Sequence, residues 1–316
     1  MSNSIISQQM KKWQDTNLKA IQQQLSWLVT QPDGVIFCEP SGVHFVVVRK
    51  TQSLIKLSLV EKIDLTTDLV QSVLNLNNPL DLVSPYTQAM LLSLVWKPQP
   101  QKIYIAGFGG GRIPLVLHHY FPETAIECAD IEPTAITVAE KFFGIKLDNR
   151  LQLTIKDGRE YLEQLNQNVK YDIIMTDVFF GNGYMPHRLA TKEFYELCQK
   201  HLSTDGVVAM NILQRDEFYI EKVKTLQAVF KEIYLCPWNQ INTIVFGTNS
   251  PRIDRNDFLE KTKFLQEYHQ FSFPLIDRAL EIKLEIELSE ILPNLNNADI
   301  LRDDLPPTGY FNCWLF

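Results

Sequence analysis

The sequence predicts an α/β protein. Its main sheet is expected to be Rossmann-like, mostly parallel with an antiparallel hairpin at one edge, beside a small N-terminal β-domain. Three observations predict this. From residue 84 to about 210, short apolar runs and amphipathic segments alternate five times, the pattern of a parallel sheet with right-handed crossovers. A glycine cluster at 107–111 follows the apolar run IYIAG directly and opens a helix. Residues 35–60 hold three runs rich in β-branched residues with no helix between them.

The elements follow in order. Ile5, Ile6, Met10, Trp13, Leu18, Ile21, Leu25 and Leu28 recur at helical spacing, and Gln-Pro-Asp-Gly at 31–34 stops that helix. This helix has two possible docking sites, its own domain or a second subunit. VIFCE, HFVVVRK and LIKLSLV then read as antiparallel strands, so residues 1–65 are expected to form an appendage. Residues 66–250 carry the main domain. Its helices are PYTQAMLLSLVW, RIPLVLHHYF, AITVAEKFFG, GREYLEQL, TKEFYELCQKHL and YIEKVKTLQAVF, and its last two strands are EIYLCPW and INTIVFG. Residues 251–316 are expected to form a helical tail packing on that domain.

Composition narrows the function classes. With 45% hydrophobic and 21% charged residues the chain is globular. Its net charge of −7 and lack of a basic stripe argue against a nucleic-acid partner and suit a cationic substrate. The five cysteines are scattered without C-x-x-C spacing, so neither a disulfide framework nor a metal site is expected, and Cys128 and Cys198 read as small core residues. No signal-peptide core and no run near 18 apolar residues is present, so the expectation is a cytoplasmic protein without a membrane partner.

Open parallel sheets bind ligands beyond the carboxyl ends of their strands. Four loops leave this sheet there. In the first, Gly107, Gly109 and Gly111 let the backbone approach a ligand, or make a tight turn. In the second, Asp130 stands 23 residues after Gly107, placed to accept from two ribose hydroxyls. It or Glu132 could instead cap the next helix. In the third, Asp157, followed by Gly158, can accept from an adenine amino group or cap a helix. In the fourth, Asp177 faces the crevice where a nucleophile enters, and can bind an amine or take its proton. Phe179, Phe180, Tyr184 and Met185 read as an acceptor wall or as core, and His187 as a loop residue.

Together these residues resemble the spermidine synthase (polyamine aminopropyltransferase) family. The matching pieces run from about 71 to 248: QSVLNL, SPYTQAM, IYIAGFGGG, ADIEPTAITVAEKFF, DGREYL, YDIIMTD and LATKEFYELCQKHLSTDGVVAMN. The N-terminal strands and Asp303-Asp304 with nearby prolines are similar too. The resemblance implies a class I methyltransferase-type sheet and a homodimer. It also implies S-adenosylmethionine or its decarboxylated form as co-substrate, without a metal. It assigns Gly107, Gly109 and Gly111 to the donor's amino-acid or aminopropyl end, Asp130 to the ribose, Asp157 to adenine and Asp177 to the acceptor amine. Gln71 and Tyr86 would close the pocket.

Two departures stand out. The family carries an aspartate inside the glycine loop, where this chain has Gly110, and another three residues after the catalytic one, where it has Phe180. Both would contact ammonium groups. The chain looks closer to a divergent spermidine-synthase-like branch, and Glu193 and Asp216 are the residues that could compensate. Three functions remain open: transfer of an aminopropyl group to a small-molecule amine in polyamine metabolism, methyl transfer to another acceptor, and nucleoside binding without catalysis.

Overall fold

The computed structural model describes residues 2–63, 68–179, 185–308 and 310. Phe180 and Tyr184 therefore lie outside the described residues.

Helix α1 (Ser2–Val29) carries its apolar stripe as the spacing predicts. Ile21, Leu25 and Leu28 are buried, and the helix packs on α3 (Arg112–Tyr120) and α4 (Ala135–Phe142) of its own chain. Polar bonds fix its register: Trp13 Nε1 donates to the His119 carbonyl, and Gln24 Nε2 to the carbonyls of Glu140 and Ile145.

Four antiparallel strands follow: β1 (Gly34–Ser41), β2 (His44–Thr51), β3 (Leu54–Glu61) and β4 (Asp68–Asn75). The fourth lies in QSVLNL and carries the sheet past residue 65 to Asn75. Its alternation is legible once the pairing is known, since Ser72 and Leu74 face the core while their neighbours do not.

After α2 (Pro85–Met90) and a 3₁₀ turn, Leu91–Val95, comes the eight-stranded sheet. Its parallel strands are β5 (Lys102–Ala106), β6 (Ala125–Asp130), β7 (Leu151–Ile155), β8 (Tyr171–Thr176) and β9 (Leu202–Leu213). They alternate with α3, α4, α5 (Gly158–Glu163) and α6 (Lys192–His201). Helix α7 (Tyr219–Gln227) leads to the hairpin β10 (Glu232–Trp238) and β11 (Asn242–Thr248), which pairs antiparallel to β9 as expected. The tail holds α8 (Arg255–His269), α9 (Leu275–Ala279) and shorter turns. It also adds what periodicity did not suggest, a two-residue strand β12 (Lys283–Leu284) on β10. Asp303 ties the tail to the main domain, accepting from both terminal nitrogens of Arg159 at 2.7 and 2.5 Å.

The strand order is β12-β10-β11-β9-β8-β5-β6-β7. The chain runs outward from β5 in one direction, then returns to β8 and runs outward in the other. Loops after β5 and β8 therefore diverge, leaving a crevice between them. The central strands are buried on both faces: Ile103 and Ile105 enter one core, Tyr104 and Ala106 the other.

Candidate active site

The crevice opens into a cleft of about 1620 Å³ between the four-stranded sheet and the carboxyl ends of β5, β6, β7, β8 and β9. Small-molecule pockets usually hold ~300–1,000 Å³, so this cleft has room for two reactants. Gln71, Tyr86, Gly107, Gly109, Asp130, Asp157, Gly158, Asp177 and Phe179 all line it. Gly111 does not; it packs on Ile145 and the Phe108 ring, so the loop's far end serves packing. Met185 is core, His187 bonds the Arg302 carbonyl, and neither lines the cleft.

Asp177 sits at the switch point. Its carboxylate accepts from Asn211 Nδ2 at 2.8 Å, and Asn211 Oδ1 accepts in turn from Asn242 Nδ2 at 2.9 Å. The Tyr86 hydroxyl approaches the same carboxylate. Burial pushes the Asp177 pKa up; Asn211 and Tyr86 oppose that, and the charge of Asp130 adds to it. The result is a carboxylate oriented by fixed donors yet more basic than an ordinary aspartate, suited to receive an ammonium proton.

Gly107 is dictated by this arrangement. Its φ is +89°, and a Cβ there would overlap the Asp177 carbonyl oxygen. The β5 loop thus passes directly against the β8 loop, which only glycine permits.

Asp130 ends β6 with both carboxylate oxygens occupied by backbone. Oδ2 accepts from Phe108 N (2.7 Å) and Gly109 N (3.1 Å), and Oδ1 from Glu132 N (2.8 Å). Burial raises its pKa despite these three amides. One lone pair remains, on Oδ1, and the residue lines the cleft. Glu132 reaches the other way. It accepts from Ser41 Oγ and His44 Nε2 of the small sheet and from Thr134, at 2.8–3.3 Å, clasping that sheet over the site. Burial opposes its charge, but His44, Thr134 and Ser41 outweigh it and bring its pKa to about 2. Asp157 caps α5 by accepting from Arg159 N and Glu160 N through Oδ1; its Oδ2 is 3.6 Å from Arg188.

The loop's N–H groups are all taken inside the protein. Gly107 N donates to Ala129 O, Phe108 and Gly109 to Asp130, Gly110 to Ser72 Oγ at 2.9 Å, and Gly111 to Phe108 O. Gly110 lies outside the lining, and a Cβ there would meet Phe143 Cδ1 and Ser72 Cβ at 2.9 Å. The position where the resembled family carries a loop aspartate is filled from both sides. Glu193 and Asp216 offer no replacement. Glu193 accepts from Arg302 and the Asp303 amide, and Asp216 is paired with Lys222.

Sequence reasoning missed Ser72, Arg112, Asn211 and Asn242. The two asparagines carried a signal, a polar residue inside or opening an otherwise apolar strand (GVVAMNI and NTIVFG). Ser72 and Arg112 carried none. Among the described residues, no cluster of three or more His, Cys, Asp or Glu could hold a metal, and no helix is long and apolar enough to cross a membrane.

A doubly wound sheet with a glycine loop after β5 and acids ending β6, β7 and β8 around its switch point defines a Rossmann-like transferase. Within that class the chain belongs to the spermine/spermidine synthase domain family, whose model matches residues 86–246. Over 151 residues it is 32% identical to a polyamine aminopropyltransferase of Vibrio vulnificus, a match covering 48% of this chain and 50% of that one. It is 30% identical over 180 residues to the human eEF1A lysine and N-terminal methyltransferase, covering 53% of this chain and 26% of that one. A probable spermidine synthase from Corynebacterium glutamicum has the same fold, with TM-score 0.69 at 15% identity over 88% of this chain and 98% of that one. The chain thus spans about half the length of the Vibrio relative it matches.

Proposed function

We propose that this protein alkylates an amine with a sulfonium nucleoside, S-adenosylmethionine or its decarboxylated form. The observation that carries this is Asp177, a half-buried, raised-pKa carboxylate fixed by Asn211 in the switch-point crevice. The nucleoside half of the donor fits the other strand ends. Asp130 takes a ribose hydroxyl on the free lone pair of Oδ1, Asp157 Oδ2 the adenine edge, and Gln71 on β4 covers the glycine loop. The acceptor enters beside Tyr86 and Phe179. Its nitrogen lone pair attacks the carbon on sulfur, the carbon–sulfur bond breaks with its electron pair kept by sulfur, and the nitrogen's proton passes to Asp177. Alignment by the two facing loops supplies much of the acceleration.

Aminopropyl transfer in polyamine metabolism is the reading nearest the family's name. Methyl transfer is the second reading, and the filled niche at Gly110 favours it, because the donor's ammonium finds no carboxylate there. We further read the protein as a cytoplasmic homodimer acting on a small molecule, with no nucleic-acid partner; its four described cysteines are all free thiols, as a reducing compartment requires.

The test is calorimetry with S-adenosylmethionine, its decarboxylated form and methylthioadenosine, followed by a mass-spectrometric search for alkylated amines. Micromolar binding of at least one is expected. Failure of all three to bind would falsify the reading.

A further inference from the structure

Arg112 is the first residue of α3, directly after the glycine loop, and lines the cleft. Its side chain is 4% exposed. Nη2 donates to the carbonyls of Pro79 and Asp81, while Nε and Nη1 have no hydrogen-bond partner. Asp81 is its counter-charge, but only its backbone carbonyl, not its carboxylate, accepts a hydrogen bond from Arg112 among the described residues. Burial brings the guanidinium pKa down to about 10, so it stays cationic near neutral pH. A buried cation with two idle nitrogens, three N–H groups between them, is an unfilled binding capacity.

Position says what fills it. If Asp130 and Asp157 hold ribose and adenine and Asp177 marks the transferred carbon, the donor's remaining arm leaves sulfur toward the exit of the glycine loop, where Arg112 begins α3. The loop amides cannot receive that arm, since each already has an acceptor. The other basic residues on the cleft lie elsewhere. His44 is held by Glu132, and Arg215 is an exposed residue near Leu213 and Asn242 on the acceptor side.

We propose that Arg112 binds the α-carboxylate of the donor's methionine arm and so selects intact S-adenosylmethionine over the decarboxylated nucleoside. This rests on the nucleoside reading above and decides between its two donors. A guanidinium rewards a carboxylate through charge-assisted hydrogen bonds and gives an aminopropyl ammonium only repulsion. With the intact donor the group that moves is the methyl. The acceptor nitrogen bonds to the methyl carbon, the methyl–sulfur bond breaks, sulfur keeps the pair as S-adenosylhomocysteine, and Asp177 takes the nitrogen's proton.

The experiment is calorimetry on the full chain with three ligands: S-adenosylhomocysteine, its isosteric carboxamide, and methylthioadenosine. The wild type should bind the acid roughly tenfold or more tighter than the amide. In Arg112→Gln that gap should close while methylthioadenosine affinity stays unchanged; Arg112→Lys should keep part of it. Equal wild-type affinity for acid and amide, or a gap that survives Arg112→Gln, would overturn the proposal. If Arg112→Gln does not fold, the wild-type acid-to-amide ratio still decides. Absence of methylthioadenosine binding by the wild type would instead sink the nucleoside reading.

Discussion

A single carboxylate, Asp177, is held by Asn211 and approached by Tyr86 while burial works against its charge. Its raised pKa sets the sign of a pH effect. A base must be ionised to accept a proton, so turnover should fall as pH drops through that raised pKa, above the range of an ordinary aspartate. Asp177→Asn should lower kcat by ~10²–10⁴ and leave donor affinity nearly intact; an equal loss of donor binding in calorimetry would show that Asp177 holds the donor instead. The residue itself was legible, since an acid closing an apolar strand in a strand–helix alternation has a known position. Its support was not. Asn211 and Asn242 lie 34 and 65 residues further on, and only the β8-β9-β11 pairing aligns them. Arg112 was invisible for another reason: its meaning lies in which of its donors go unused, which no sequence displays.

At the scale of elements, the glycine loop and the clasp make two predictions. Restoring the family's aspartate by Gly110→Asp should not restore polyamine chemistry. Its Cβ collides with the fully buried Phe143 and with Ser72, so overpacking should cost about 1–3 kcal/mol, read as a lower midpoint in urea. An unchanged midpoint would mean that the niche can open. The clasp at Glu132 has a folded pKa of about 2, below the usual 4.5. A depressed acid contributes stability that is complete above its unfolded value and disappears as pH falls through the folded one. Glu132→Gln should therefore melt lower than wild type at pH 7, with the difference shrinking between about pH 4.5 and 2. Thermal melts across that window check it. Strand and helix identities were readable from periodicity, but β4 and the clasp were not. Ser41, His44 and Glu132 are 88–91 residues apart, and chain order gives no hint that the small sheet folds back over β6.

At the scale of the whole molecule, α1 buries Ile21, Leu25 and Leu28 inside its own chain, on α3 and α4, so these residues are not open to a second copy. Of the edge strands β1, β4, β7 and β12, β1 is eight residues long and largely exposed. An open strand edge invites pairing with another chain. We therefore expect a dimer joined near β1, and sedimentation giving only a 36.6 kDa species at every concentration would refute it.

The clasp also bears on how a reactant gets in. The small sheet meets the cleft through polar links at two points, Ser41 and His44 on Glu132, and Ser72 on the Gly110 amide. Hydrogen bonds of this kind exchange readily with water, each contributing only ~0.5–1.5 kcal/mol net. Beside them the seam is apolar, with Phe37 5.3 Å from the Phe142 ring and Val46, Val48, Leu57 and Leu74 in one core with Phe143 and Ile145, so parting it would expose apolar area, whereas the two polar points can be wetted and remade. A donor entering at that rim would need only these two polar points to open, with the apolar seam acting as the hinge that keeps the sheet in register.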